Sequence, residues 1–186
     1  HDVVSDYVKE IIRPYPDFFV VHKAPHLDEY IAELLFRSSL PPDGRVGNFR
    51  EMALNAEDDL AAQTYWPSSA VFGIGGEQES GKYAQYLFDE HKIAGGRKEK
   101  SCVQIIVNRC YSNLPDIIRM LVEEVNRIDS SGDADPLHLN NLLKTAHIVP
   151  YNYGINKDGR RISGKLSDPW KRGVVNALFV AIVWAL

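Results

Sequence analysis

Cysteine is scarce in this sequence: Cys102 and Cys110 are the only two, and they form no CxxC pair. That removes a dithiol redox motif and leaves two buried, reduced thiols of a cytosolic protein as the expectation. Long apolar runs are missing as well. The most apolar stretch, Val174 to Leu186, is broken by Asn176 and falls short of the ~20 residues that a bilayer span needs, so it reads as a buried terminal helix. The opening residues HDVVSDYVKE carry no apolar h-region, and the chain is expected to be cytoplasmic with no membrane partner. Nor is there a surplus of positive charge. With 21 Lys and Arg against 25 Asp and Glu, the net charge of -4 excludes a generally basic nucleic-acid sleeve, although a local basic patch remains open.

What is present suits one globular domain with a small appendage: 186 residues, 45% of them hydrophobic. Phe18-Phe19-Val20-Val21 follows the breaker Arg13-Pro14-Tyr15-Pro16 and reads as a buried strand. Asp28 to Arg37 places Ile31, Leu34 and Leu35 at helical spacing. Ser38 to Gly47 is turn-rich, Phe49 to Thr64 is expected to be helical, and Ala70 to Ile74 is a second buried strand ending in Gly75-Gly76. Tyr86-Leu87-Phe88 is a third strand. Ser101 caps a segment, Cys102 to Tyr111, whose composition suits a short helix or a strand equally. Leu114 to Ile128 is an amphipathic helix, Pro136 to His147 a shorter one, and Tyr151 to Arg172 a glycine-rich basic loop. The alternation predicts an α/β fold with a mostly parallel sheet flanked by helices, over residues 1–150. Residues 151–186 are then a basic loop and an apolar helix, packed on that domain or opening a second one.

Three short features carry chemistry. His22, His26 and Asp28 stand at a strand-to-helix junction, where ligands bind in open α/β sheets. Imidazole with carboxylate suits Mn, Fe or Zn, and the bland alternative is that Asp28 only caps the helix. Asp89-Glu90-His91 follows the third strand. Asp129 lies at a helix C-terminus, where its charge opposes the macrodipole and calls for a lysine or a metal as compensation.

In this order, His22-x3-His26-x-Asp28-Glu29, then Gly75-Gly76, then Asp89-Glu90-His91, then Asp129, the features resemble the DHH phosphoesterase superfamily. His22-Lys23-Ala24-Pro25-His26-Leu27-Asp28 looks like its first motif, HxxPDxD, with His26 replacing the first aspartate. That form is similar to the metal-dependent exonuclease branch typified by the melanocyte-proliferating-gene protein. The resemblance implies hydrolysis of phosphoester or phosphoanhydride bonds with Mn²⁺ or Mg²⁺, on a phosphorylated small molecule or a short nucleic acid. It implies that His22 and His26 hold a first ion and that Asp28, Glu90 and Asp129 hold a second. His91 would face the substrate phosphate, and Asp89 would support it.

Two positions depart from the family pattern. Gly73 stands where the family has an aspartate that bridges both ions, and Glu90 stands where it has a histidine. Two dications about 4 Å apart need an anion between them. Either Glu77 reaches in, or one ion binds tightly and a second weakly, or hydrolysis is lost and a binding module with a degenerate metal site remains. The basic residues Arg160, Arg161, Lys165, Lys171 and Arg172, with Trp170, are candidates for phosphate contact in place of a C-terminal capture domain, or else a solvated loop. A competing nucleotide-binding reading comes from Gly76-x4-Gly81-Lys82, which fits a phosphate loop; Tyr83 in the metal-binding Ser/Thr position and the charges of Glu77 and Glu79 count against it.

Overall fold

The computed structural model describes residues 3–12, 14–21, 26–45, 47–51, 66–73, 84–90, 101–131, 150–155, 161–165, 177, 180–182 and 184–186. Four strands, β1 (Phe18–Val21), β2 (Asn48–Glu51), β3 (Trp66–Phe72) and β4 (Ala84–Phe88), form one sheet in the order β2-β1-β3-β4, and every pairing is parallel. An all-parallel sheet is covered on both faces, which is why its central strand reads as an unbroken apolar run; Phe19, Val20 and Val21 are fully buried. Among the described residues, the helices that pack with this sheet are α1 (Leu27–Ser39), α2 (Cys102–Cys110) and α3 (Asp116–Ser131). Strands and helices thus make the expected α/β fold.

Helix α1 lies inside the molecule. Of its residues only Arg37 escapes full burial, because α2 packs on it from one side while β1 and β3 lie on another. Aromatic rings fix its position. Phe36 of α1 lies 5.1 Å from Phe88 of β4 and 5.6 Å from Phe72 of β3, and it also meets Phe19 of β1 edge-on at 6.2 Å. Such pairs contribute about 1 kcal/mol each beyond their area, and here they join the helix to the three strands whose tips matter below. The Tyr111 hydroxyl donates to the Leu35 carbonyl at 2.6 Å, tying the end of α2 to the same helix.

Glu33 is wholly buried on α1 and meets the Arg37 guanidinium one turn on, which in turn lies 4.5 Å from the Phe19 ring centre. Burial pushes the Glu33 carboxyl up to about 7 from 4.5, against the opposing pull of Arg37. A value raised in the folded state means that the folded protein holds this proton more tightly than the unfolded chain does. The contribution is fully present below pH 4.5 and is lost as pH rises through about 7, a change of about 3 kcal/mol. Glu33→Gln should therefore flatten that part of the pH dependence in urea melts near pH 5 and pH 8. Equal slopes in parent and variant would show that Arg37 already compensates the charge.

Several sequence expectations are corrected. Phe49 to Glu51 is strand, not the start of a helix; residues 52–65 lie outside the described set. The basic loop contains an antiparallel hairpin, β5 (Pro150–Ile155) with β6 (Arg161–Lys165). Among its described residues the terminal apolar segment, expected to be buried, is buried at Ile182 but exposes Val180 and Trp184, the latter 86% accessible. The ambiguous segment after Ser101 is helical, as α2. The helix expected over 136–147 lies outside the described residues. Both thiols are free and buried. Among the described residues no helix is long and apolar enough to cross a membrane.

Candidate metal centre

The sheet order sets the location. From β1 the chain moves out to β2 on one side and later returns as β3 on the other, so the strand order reverses between β1 and β3. Crevices at such a reversal, beyond the C-terminal strand ends, are where open α/β sheets bind ligands. Registration makes the tips level: Val21 pairs with Phe72, and Phe72 with Phe88. Gly73 extends the row by one residue, its N–H donating to the Phe88 carbonyl at 2.8 Å. Asp89 and Glu90 leave β4 at the same level, and α1 starts close after β1.

Three carboxylates meet there. Asp28 from the first turn of α1, Glu90 from beyond β4 and Asp129 from the end of α3 each offer an oxygen within 4.8 Å of the others. Asp28 and Glu90 are buried and Asp129 is half-buried. Asp28 is oriented from a distance: its Oδ2 accepts from Cys102 N and its Oδ1 from Val103 N, both at 2.9 Å. These are the first two amides of α2, so Asp28 caps a helix, though not its own. An anion at a helix N-terminus is favoured by the unpaired N–H groups and the dipole together. Burial first, then the charges of Glu29 and Glu90, nevertheless push the Asp28 carboxyl well above its ordinary range; the Val103 N–H pulls it down and Asp129 pushes it up further.

Asp129 is held in place through α2. Ser101 caps α2 by accepting from Gln104 N at 3.1 Å and donates its hydroxyl to Asn126 Oδ1. Asn126 Nδ2 donates to Gln104 Oε1 at 2.8 Å. Asn126 lies one turn before Asp129 on α3, so the network that caps the start of α2 also ties it to the turn that carries Asp129.

Of the residues singled out in the sequence, Asp28, Glu90 and Asp129 are brought together. Asp89 is buried next to Glu90. His26 is the N-cap of α1, exposed, with its backbone N–H donating to Glu29 Oε2 at 2.7 Å; it is not one of the three converging groups. His22, Glu77, His91 and the glycine-rich stretch ending at Lys82 lie outside the described residues. Glu29 closes the His22-x3-His26-x-Asp28-Glu29 motif, which assigns it no ligand role. It is 3% exposed, its charge bears on Asp28, and its side chain lies against Gly73. Its spacing from His26 identifies a capping partner and nothing more. Gly73 itself has φ 69, the left-handed region that glycine enters without strain. Comparison with protein-family models, with curated proteins and with solved structures gives no match to this chain.

Proposed function

We propose that this chain is a metal-dependent phosphoester hydrolase of the DHH type, acting on a nucleotide or nucleic-acid phosphodiester. The observation that carries the reading is the meeting of Asp28, Glu90 and Asp129, from three separate segments, at the C-terminal edge of a parallel sheet. Carboxylates this close repel one another, and a shared cation would relieve that repulsion. The donor set fits a cation of a particular kind. Carboxylate oxygens are hard ligands that suit Mg²⁺ and Mn²⁺, and Glu90 in place of a histidine makes the set harder still. Asp28, Glu90 and Asp129 would hold one ion, while the resemblance assigns His22 and His26 to a separate one.

A bound Mn²⁺ or Mg²⁺ supplies Lewis acidity toward water and phosphoryl oxygen. The chain's own residues do the rest. The α2 amides fix both oxygens of Asp28, so its orientation does not depend on the ion. The Ser101–Asn126 contact holds Asp129 on the facing helix. His91, next in sequence to Glu90, would face the substrate phosphate, with Asp89 supporting it.

Titration with Mn²⁺ in a calorimeter, paired with hydrolysis of bis(p-nitrophenyl) phosphate and of a short oligonucleotide, tests the reading. The parent should bind Mn²⁺ and gain about 2.7 kcal/mol of stability at a hundredfold excess over Kd. Glu90→Gln should be more stable than the parent in chelator, because one repelling charge is gone, yet lose the Mn²⁺ gain and about a hundredfold in turnover. A parent that binds no Mn²⁺ sinks the metal centre. Tight binding without hydrolysis of either substrate would make the chain a binding module, as the missing side chain at Gly73 would favour.

A further inference from the structure

Helix α3 buries Ile118, Val122, Val125 and Ile128, and among the described residues Asn126 is its one buried polar side chain. An apolar residue would cost less at such a position, so the amide is accounted for by what it bonds. Its Oδ1 accepts the Ser101 hydroxyl, and its Nδ2 donates to Gln104 Oε1 at 2.8 Å. Gln104 Nε2 donates in turn to Asn108 Oδ1 at 2.9 Å, which settles the end of the Gln104 amide that faces Asn126. Ser101 is fully buried, accepts Gln104 N at 3.1 Å and is the N-cap of α2. Each of these bonds has one direction, and a buried polar network matched in this way is rigid.

Two carboxylates depend on it by different routes. Asp28 is held by the N–H groups of Cys102 and Val103, the two residues that follow Ser101. Asp129 follows Asn126 by three positions on α3, which makes the two neighbours on one helix surface. The Ser101–Asn126 bond therefore fixes the helix of Asp129 relative to the amides that hold Asp28. Cation size enters at this point. Mg²⁺ demands oxygens at about 2.0–2.1 Å in a near-ideal octahedral array, whereas Ca²⁺ accepts about 2.3–2.6 Å and irregular geometry. Loosening the spacing of Asp28 and Asp129 costs the demanding ion more than the tolerant one.

We propose that Asn126 is a positioning residue that gives the metal centre its preference for a small dication, Mg²⁺, over Ca²⁺. The inference rests on the metal-centre reading above and adds to it the residue that sets cation choice without touching the ion.

Asn126→Ala removes both amide bonds and leaves the three carboxylates in place. Parent and variant are titrated with Mn²⁺ in a calorimeter, the affinities for Mg²⁺ and Ca²⁺ are read from their displacement of Mn²⁺, and melting in chelator checks that the variant is folded. The expected result is a Mg²⁺-to-Ca²⁺ affinity ratio above one in the parent and lower by about tenfold in the variant. A general loss of stability would weaken both ions alike and leave that ratio where it was. A ratio unchanged or raised, an equal loss of both ions, or a parent without preference for Mg²⁺ overturns the inference while the metal centre stands. A parent that binds no dication removes the metal centre and the inference with it. Should Asn126→Ala not fold, Ser101→Gly deletes the hydroxyl at an N-cap, a position where glycine is tolerated. The same fall in the ratio then supports the proposal, and an unchanged ratio overturns it.

Discussion

Gly73→Asp should destabilise the metal-free protein by about 3 kcal/mol or more, the sum of three separate costs. The backbone at 73 has φ 69, where a side chain other than glycine's is strained. The new Cβ would sit 2.5 Å from Glu29 Cγ inside a buried site, so the glutamate must leave its rotamer. A further carboxylate would then join Asp28, Glu90 and Asp129 where charge is already crowded. Urea titration in chelator measures the sum. The resemblance has a bridging aspartate at this position, but with Glu29 in place there is no room for one. A Gly73→Asp protein as stable as the parent would mean that Glu29 does not hold this space.

Asp28→Asn should cost about 2–4 kcal/mol in chelator and remove Mn²⁺ binding as well. The substitution is isosteric, and the reason it fails is polarity. Both oxygens of Asp28 accept from α2 amides, Cys102 N and Val103 N, each at 2.9 Å. An asparagine can offer one oxygen, and its NH₂ must then face the other N–H, leaving a buried donor unmet and two donors opposed. Relief of repulsion with Glu29 and Glu90 offsets part of that loss. The comparison with Glu90→Gln is informative, because that variant should gain stability in chelator while this one loses it. Guanidinium melts of the two proteins side by side give the sign. If Asp28→Asn also gains stability, repulsion outweighs the α2 cap and the cap is a minor term.

Much of the sheet was legible because its strands are short apolar runs, set between prolines at Phe18–Val21 and ending in the charged Asp89-Glu90 at Tyr86–Phe88. The parallel order followed from alternation with helices. Strand β2 was not legible: Asn48–Glu51 has one apolar residue among polar ones and runs straight into a helix-like composition, so its pairing with β1 decides its state. The hairpin near the C-terminus had a readable sign, Asp158-Gly159 between two runs containing Tyr153, Ile155 and Ile162, but frequent glycines hid the alternation. At the site, the sequence order picked out Asp28, Glu90 and Asp129. It could not show that Asp28 caps a helix whose first residue is Cys102, since nothing local links them. Nor could it show Glu29 filling the volume beside Gly73, which depends on how α1 seats against β3.

The three converging carboxylates come from positions 28, 90 and 129, so an unfolded chain keeps them far apart and salt screens each from the others. Their repulsion is therefore a property of the native state alone, a patch of local frustration in an otherwise consistent fold. It is felt only once the sheet has closed and α3 has docked. Its kinetic signature is faster unfolding at an unaltered folding rate. Any cation that settles there acts as a brake on opening and gives the chain no help in finding its shape.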